Sequence, residues 1–504
     1  MVSRAHAPQQ LQEWFNNKDF YSQTLLKDGK KLNRQGNEKA LQLFHSAAKR
    51  VPAYKDFLKK NKISSKSIQS IQDFKKLPFT DKKNYIDQYP LEKLVWDGKL
   101  DSSFVINASS GTTGKPYYWP CSHKEFIQGA VLHKMLYYTF FNIDKKRTLV
   151  IVCFGMGTWV AGIYTFLSTY LLSIEKKNIS VITPGFNKDE TIRILSLLAP
   201  KYEQIIIAGY PTYIKDVLEQ CNSIQKIKGR VKFIFAGEGI TETWRAYVHK
   251  LVQCNNYYKD SISVLGSADA TFMGFETPIS ILIRKQAQKD LKFNKSLFNS
   301  ERVPSLVCYF PSQCFFEHHN NELILTMDRS IPLIHYNIHD IGGVLSYNKM
   351  MKKAQGNKNF SNSLSSEKSI TGSDLIKLPF VYLFGRDKFT ATIYAANIYP
   401  ENVKDVLSDK KIRRYTTGKF SLETKYNDKQ NHYLLLNIEL KESVKLDKKI
   451  QNMVEEVFVT KVSRINSEYH RVLEEYGNKV KPIVKLYKYG EPHFFPSGQL
   501  SKTS

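Results

Sequence analysis

The chain has 504 residues, of which 42% are hydrophobic, 13% aromatic and 24% charged, the composition of a soluble globular protein with more length than one core usually fills, so two or more domains are expected. Six scattered cysteines exclude a disulfide scaffold. The formal net charge of +27 raises nucleic acid or an anionic membrane surface as a partner, but no Lys/Arg block is dense enough to form a binding arm. Lysines spread beside Asn, Ser and Glu read instead as solvated faces whose field would steer an anionic substrate.

Met1 to Gln12 lacks the apolar core of a signal peptide, so the cytoplasm is the expected location. Ala40, Leu43, Phe44 and Ala47 recur at i, i+3, i+4, i+7 within Glu38 to Lys49, which predicts a helix. After Phe104-Val105-Ile106, the segment Asn107 to Pro116 holds Ser109, Ser110, Gly111, Thr112, Thr113, Gly114 and Lys115. Gly111 and Gly114 free the backbone so that NH groups can converge on an anion, the hydroxyls add rotatable donors and Lys115 adds charge. This is polyphosphate-loop chemistry. It is not the G-x-x-x-x-G-K-[ST] loop, because only Thr112 and Thr113 separate the glycines and Pro116 follows the lysine.

Thr148 to Ile174 is free of charge and long enough for a membrane helix by length alone. Its interior reads otherwise: a buried strand at Leu149 to Phe154, a turn at Gly155 to Thr158, and a buried helix from Trp159 to Ile174. Val181 to Gly185 resembles the next strand of a parallel sheet. Val231 to Phe235 is a further apolar strand. Cys308, Cys314, His318 and His319 hold soft ligands but no C-x-x-C pair, so zinc is not expected, and the other cysteines are isolated. Lys349 to Asp374, rich in Lys, Asn, Ser and Gly, reads as a mobile insertion. No internal repeat is visible.

The loop at 107–116 resembles the signature loop of adenylate-forming enzymes, the acyl- and aryl-CoA synthetases and peptide-synthetase adenylation domains, with the phenylacetate-CoA ligase and capsule-biosynthesis branch as the nearest likeness. Further segments follow in the same order. Phe235-Ala-Gly237-Glu238-Gly239 resembles the adenine-and-carboxylate segment of that family. Val264-Leu-Gly266-Ser267-Ala-Asp269 resembles the aromatic-G-x-x-E motif that helps hold magnesium, with Leu265 for the aromatic residue and Asp269 for the glutamate. Ile331 to Asp340 resembles P-L-I-R-Y-x-x-x-D, whose aspartate binds ribose, with His335 for the arginine. Gly385-Arg386 and Asn397 to Pro400 resemble the G-R…N-x-x-P interdomain stretch, where Arg386 also reaches the ribose, Lys388 takes the hinge position and Ala395 replaces a glycine near the thiol acceptor. Pro496 to Lys502 resembles the terminal G-K motif, but Gln499 occupies the lysine position and Lys502 lies three residues on.

The resemblance implies an α/β fold with a large multi-sheet N-terminal AMP-binding domain (residues 1–384) and a small mobile α+β C-terminal domain (385–504) on a hinge. It implies ATP and Mg2+ as cofactors, CoA as a possible acceptor alongside a carrier-protein thiol, an amine or a hydroxyl, and a carboxylic acid as substrate. In it Ser109 to Lys115, Gly237, Glu238, Gly266, Ser267, Asp340 and Arg386 bind nucleotide, Asp269 binds metal, and Thr112, Lys115, Lys388 and Lys502 serve catalysis. The aromatic and apolar residues Tyr117, Trp119, Phe154 and Tyr210 favour an aryl or apolar acid. Gln499, Leu265 and Ala395 leave open a catalytically weakened nucleotide-binding relative; the charge leaves open a basic surface binder that retains the fold.

Overall fold

The computed structural model describes residues 29–100, 103–109, 117–175, 178–385 and 391–491. The chain divides into two compact units, Met1–Ala108 with Tyr118–Phe384 and Ser109–Tyr117 with Gly385–Ser504.

The larger unit opens with helices α1 (Gly29–Arg50) and α2 (Pro52–Lys60). Leu32, Gly36, Ala40, Phe44 and Ala47 form the buried stripe of α1, so the predicted helix extends further toward the N-terminus, and Leu43 is half-buried at its margin. Strands β1 (Ser103–Ser109) and β2 (Tyr117–Ser122) pair as a separate ladder, and helix α3 (His123–Phe141) follows. The chain then alternates through β3 (Thr148–Cys153), α4 (Val160–Glu175), β4 (Ile179–Ile182), α5 (Lys188–Leu197), β5 (Gln204–Gly209), α6 (Pro211–Gln220), β6 (Val231–Ala236), α7 (Glu242–Val252) and β7 (Ser261–Ser267). These strands pair in parallel in the order β4-β3-β5-β6-β7. Every residue of β3 and β5 is buried, as a strand covered on both faces requires.

β8 (Thr271–Phe275), α8 (Pro278–Lys289), α9 (Leu291–Phe298), β9 (Ser305–Cys308), β10 (Cys314–His319), β11 (Glu322–Met327), β12 (Leu333–Leu345), helices α10 (Tyr347–Gln355) and α11 (Lys358–Ser366), and β13 (Phe380–Gly385) complete the unit. The added strands extend the sheet to eleven, in the order β10-β11-β12-β13-β9-β8-β7-β6-β5-β3-β4. In the smaller unit β14 (Ala391–Ile393) and β15 (Ala396–Ile398) form a hairpin before α12 (Pro400–Leu407). β16 (Thr416–Tyr426), β17 (His432–Leu440), α13 (Lys448–Ile465), α14 (Ser467–Tyr476) and β18 (Ile483–Tyr487) enclose a separate core that includes Val403, Leu436, Phe458 and Tyr469. The architecture is therefore the expected α/β one, a large sheet-based unit and a small α+β unit.

Two expectations are corrected. Lys349 to Asp374 is not a mobile insertion: it carries most of α10, all of α11 and a short 3-10 turn, capped by the side chains of Ser346 and Asn357. Met350, Met351, Ala354 and Phe360 enter the main core, and Phe360 stacks on Phe293 at 5.7 Å. The polar composition masked a helical apolar stripe. The Trp159 to Ile174 segment is a helix, but one-sided, with Tyr170 and Ile174 exposed. Among the described residues no helix is long and apolar enough to cross a membrane.

Candidate nucleotide and acid site

In a parallel sheet ligands bind outside the carboxyl ends of the strands. Five parallel strands, β4, β3, β5, β6 and β7, end at that edge here. Phe154, just after β3, meets Tyr210, just after β5, edge to face at 5.2 Å, and Phe186 stacks on Tyr210 at 5.4 Å. The turn after β3 packs tightly on α4, because a Cβ at Gly162 would lie 2.2 Å from the Gly155 carbonyl oxygen. Ala108 NH donates to Thr158 O at 2.8 Å, which fixes the end of β1 against the same turn. The hydroxyl-rich segment starts there with Ser109; Ser110, Gly111, Thr112, Thr113, Gly114 and Lys115 lie outside the described residues.

After β6, Gly237 adopts φ +82°, a left-handed conformation that glycine takes without strain. Glu238 turns back so that one carboxylate oxygen accepts from Thr212 Oγ1 at 2.7 Å and Thr212 NH at 3.3 Å. Thr212 is in the first turn of α6, so the carboxylate caps that helix end, where negative charge is favourable. Its other oxygen is buried with no hydrogen-bond partner among the described residues.

The turn from β7 to β8 brings two of the sequence signatures together. Asp269 is 7% exposed; it accepts hydrogen bonds from Ser267 Oγ and, at 3.2 Å, from the Tyr336 hydroxyl. Tyr336 belongs to the segment that ends in Asp340, which is half-buried four residues further along β12. Lys82 Nζ lies 3.7 Å from Asp269 and 5.8 Å above the Trp119 ring. Sequence reasoning missed Lys82, which is distant along the chain and reaches Asp269 because Thr80 pairs its backbone with residues 335 and 337 of β12. Gly266 is forced by close approach, since a Cβ there would meet Thr271 O at 2.6 Å.

His335, where the resemblance expects arginine, has φ +49° and is 2% exposed. Its ring sits between Phe74 and Phe79, with Nε2 3.6 Å from a Glu317 oxygen. Burial lowers the His335 pKa to about 4 and raises that of Glu317 to about 7. A buried neutral imidazole thus replaces a permanent charge. Arg386, Lys388, Gln499 and Lys502 lie outside the described residues.

Two buried ionic clusters that the sequence did not reveal stiffen this edge. Glu125, 2% exposed, accepts from Ser122 NH and Oγ at 2.5 and 2.8 Å, and from Ser330 NH and Oγ at 3.2 and 2.6 Å. It also pairs with Arg329 at 2.9 Å, and Arg329 donates to Thr271 Oγ1 at 2.9 Å. Burial alone would lower the Arg329 pKa, but attraction to Glu125 leaves it raised. Behind the β6 loop, Arg245 contacts Glu276 through two bonds of 2.7 and 2.8 Å and pairs with Glu242 at 2.9 Å. Arg284 bridges the same two carboxylates at 2.8 and 2.7 Å and donates to the Ile240 carbonyl. Two arginines matched by two glutamates make a buried network with its charges balanced.

Cys308 and Cys314 are buried thiols, while His318 and His319 end β10 in the exposed direction. Among the described residues no group of three or more His, Cys, Asp or Glu side chains is placed to hold a metal ion.

Comparison with solved structures bears on the architecture. A 2-hydroxyisobutyryl-CoA ligase in complex with 2-HIB-AMP and CoA in the thioesterification state superposes with a TM-score of 0.60 at 15% identity, covering 94% of this chain and 88% of that one. The fold is that of adenylate-forming ligases. The same ligase in the postadenylation state with R3-HIB-AMP gives a TM-score of 0.52 at 14% identity, covering 91% and 86%. No family model and no curated protein sequence matches the chain.

Proposed function

We propose that this protein uses ATP to convert a carboxylic acid, aryl or apolar in character, to an acyl-adenylate with release of pyrophosphate, and then transfers the acyl group to CoA or another acceptor. The observation that carries this reading is the Asp269–Tyr336 contact. It joins two separately recognised signatures at the carboxyl edge of the sheet, in the turn after β7, the strand next to β6, which Gly237 and Glu238 follow.

Carboxylate and polyphosphate repel each other, so the protein must position both and screen the developing charge. The Ser109 to Lys115 segment would hold the phosphates, and Asp340 with Arg386 the ribose. Gly237 and Glu238 would border the adenine, and the Phe154, Phe186 and Tyr210 rings would wall the acid. Asp269 with its Ser267 neighbour supplies a single carboxylate, a donor set suited to Mg2+ held chiefly by phosphate oxygens and water; bound there, Mg2+ would screen phosphate charge. Lys82 adds a cation beside Asp269. Lys388 would be the pivot of the small unit and Lys502 the candidate for the charge that Gln499 lacks. The cytoplasm fits such a reaction.

Pyrophosphate–ATP exchange across a panel of aryl, branched apolar and small polar acids tests the proposal. Exchange with an apolar or aryl acid is expected. ATP binding without exchange for any acid would instead favour the weakened nucleotide-binding relative.

A further inference from the structure

The cavity at the base of α7 is separate from the carboxyl edge, because it is built from the end of α7 and the residues that lead into β6, at the opposite end of the parallel strands. It encloses about 460 Å³ and is lined by Lys228, His249, Lys250, Gln253 and Tyr257 among others. Neither the Lys228 nor the Lys250 ammonium has an ion-pair or hydrogen-bond partner among the described residues. The nearby acid Asp260 is already taken by Lys232 and by the backbone NH groups of Asn255 and Asn256. The wall therefore carries two uncompensated cations and no carboxylate.

The hydrogen bonds behind it fix a third donor. Arg245 Nη1 donates to Ser261 Oγ at 2.7 Å, and that hydroxyl lies 2.8 Å from His249 Nε2. A guanidinium can only donate, so Ser261 Oγ accepts from it; Ser261 is fully buried and among the described residues its hydroxyl has no acceptor other than His249 Nε2, so its one proton points there and Nε2 is the acceptor. Burial, then the charges of Arg245 and Lys232, hold the His249 pKa down to about 3, so the ring is neutral and its proton sits on Nδ1. That Nδ1–H has no hydrogen-bond partner among the described residues. Arg245 is locked in the Glu242 and Glu276 network, so this donor is rigidly held. The Tyr257 ring, whose hydroxyl is anchored on Glu242 at 2.9 Å, adds an aromatic face.

We infer that this cavity is a second anion site that takes the phosphate or diphosphate group of a small molecule between Lys228, Lys250 and His249 Nδ1–H. Two cations and a fixed neutral donor suit such a group, whose oxygens accept several bonds at once. The cavity shares no residue with the proposed nucleotide and acid site.

Histidine-selective NMR of the full chain tests it, with the His249 Cε1–H signal assigned by its loss in His249→Gln. The probes are inorganic phosphate, pyrophosphate and AMP, with acetate as control. A saturable shift of the His249 signal with at least one phosphate probe, weakened at least tenfold in Lys228→Glu/Lys250→Glu and retained in Asp340→Ala, is expected. No shift with any phosphate probe, an equal shift with acetate, or an unchanged shift in the double variant would overturn it. If His249→Gln does not fold, calorimetry with pyrophosphate serves: the surface double variant should lose one binding equivalent, and an unchanged stoichiometry refutes the site.

Discussion

Arg329→Met tests whether the Glu125 cluster holds the β2–α3 junction to the start of β12. The variant removes the guanidinium that pairs with Glu125 at 2.9 Å and its bond to Thr271, and leaves a carboxylate that is 2% exposed. Removing one partner of a buried ion pair costs about 3–5 kcal/mol, because the other charge remains desolvated. Four hydrogen bonds from Ser122 and Ser330 survive and continue to solvate Glu125, which places the expected loss near the lower end, about 3 kcal/mol. Glu125→Gln should cost a similar amount, since it leaves Arg329 buried without a counter-charge. The double variant Glu125→Gln/Arg329→Met should then lose less than the sum by about 2 kcal/mol or more, as contacting residues do. Urea unfolding of the four proteins measures this. A loss below about 1 kcal/mol for Arg329→Met, or strict additivity, would refute the reasoning.

The Glu317 carboxyl titrates at about 7 in the folded chain against 4.5 when free, so the folded state holds the extra proton between those values and stability falls as pH rises through that window. Glu317→Gln should therefore match the parent near pH 4.5 and exceed it at pH 8 by at most about 3 kcal/mol, read from denaturation midpoints at the two pH values. His335 contributes the opposite slope: its depressed pKa means stability is lost as pH falls from 6.5 toward about 4, and His335→Gln should flatten the acid limb of the stability profile. Gly162→Ala drives a methyl into the Gly155 carbonyl and should destabilise by about 1–3 kcal/mol, as overpacking does; a thermal midpoint unchanged from the parent would contradict the packing described. On the proposed reaction, Lys82→Ala should lower the pyrophosphate-exchange rate at least tenfold while leaving the unfolding midpoint nearly unchanged, because the Lys82 side chain is partly exposed.

What could be read from the chain depended on how local the signal was. The β3–turn–α4 unit was legible because an unbroken apolar run, a glycine-bearing turn and a charge-free helix stand in sequence order. The stripe of α1 was legible from its spacing. Lys349 to Asp374 was misread because three apolar residues at helical spacing on α10 and Phe360 on α11 were outweighed by Lys, Asn and Ser in any compositional average, although Ser346 and Asn357 are sound N-cap residues. The Arg245–Glu242–Glu276–Arg284 network was illegible for a different reason: each residue looks like an ordinary surface charge on its own element, and only the packing of α7 and α8 against β7 and β8 buries them together. A carboxylate and a guanidinium carry no sequence mark of burial.

The departures from the expected signatures follow a physical pattern that bears on the site. At position 335 the backbone turns the side chain to Phe74, Phe79 and Glu317 rather than toward Asp269, and at that buried place a neutral imidazole avoids the desolvation a permanent charge would incur. The neighbouring side chain, Tyr336, faces Asp269 instead, across the left-handed backbone at His335 and the register shift of β11 and β12 there. The cation beside Asp269 comes from Lys82, delivered by the bridge between Thr80 and β12. On the proposed reaction, charge at this end of the site is set by a residue more than 180 positions before the acid it accompanies, so Lys82→Met and His335→Arg should not compensate each other. Restored exchange in the His335→Arg/Lys82→Met double variant would show instead that the two positions face the same phosphates.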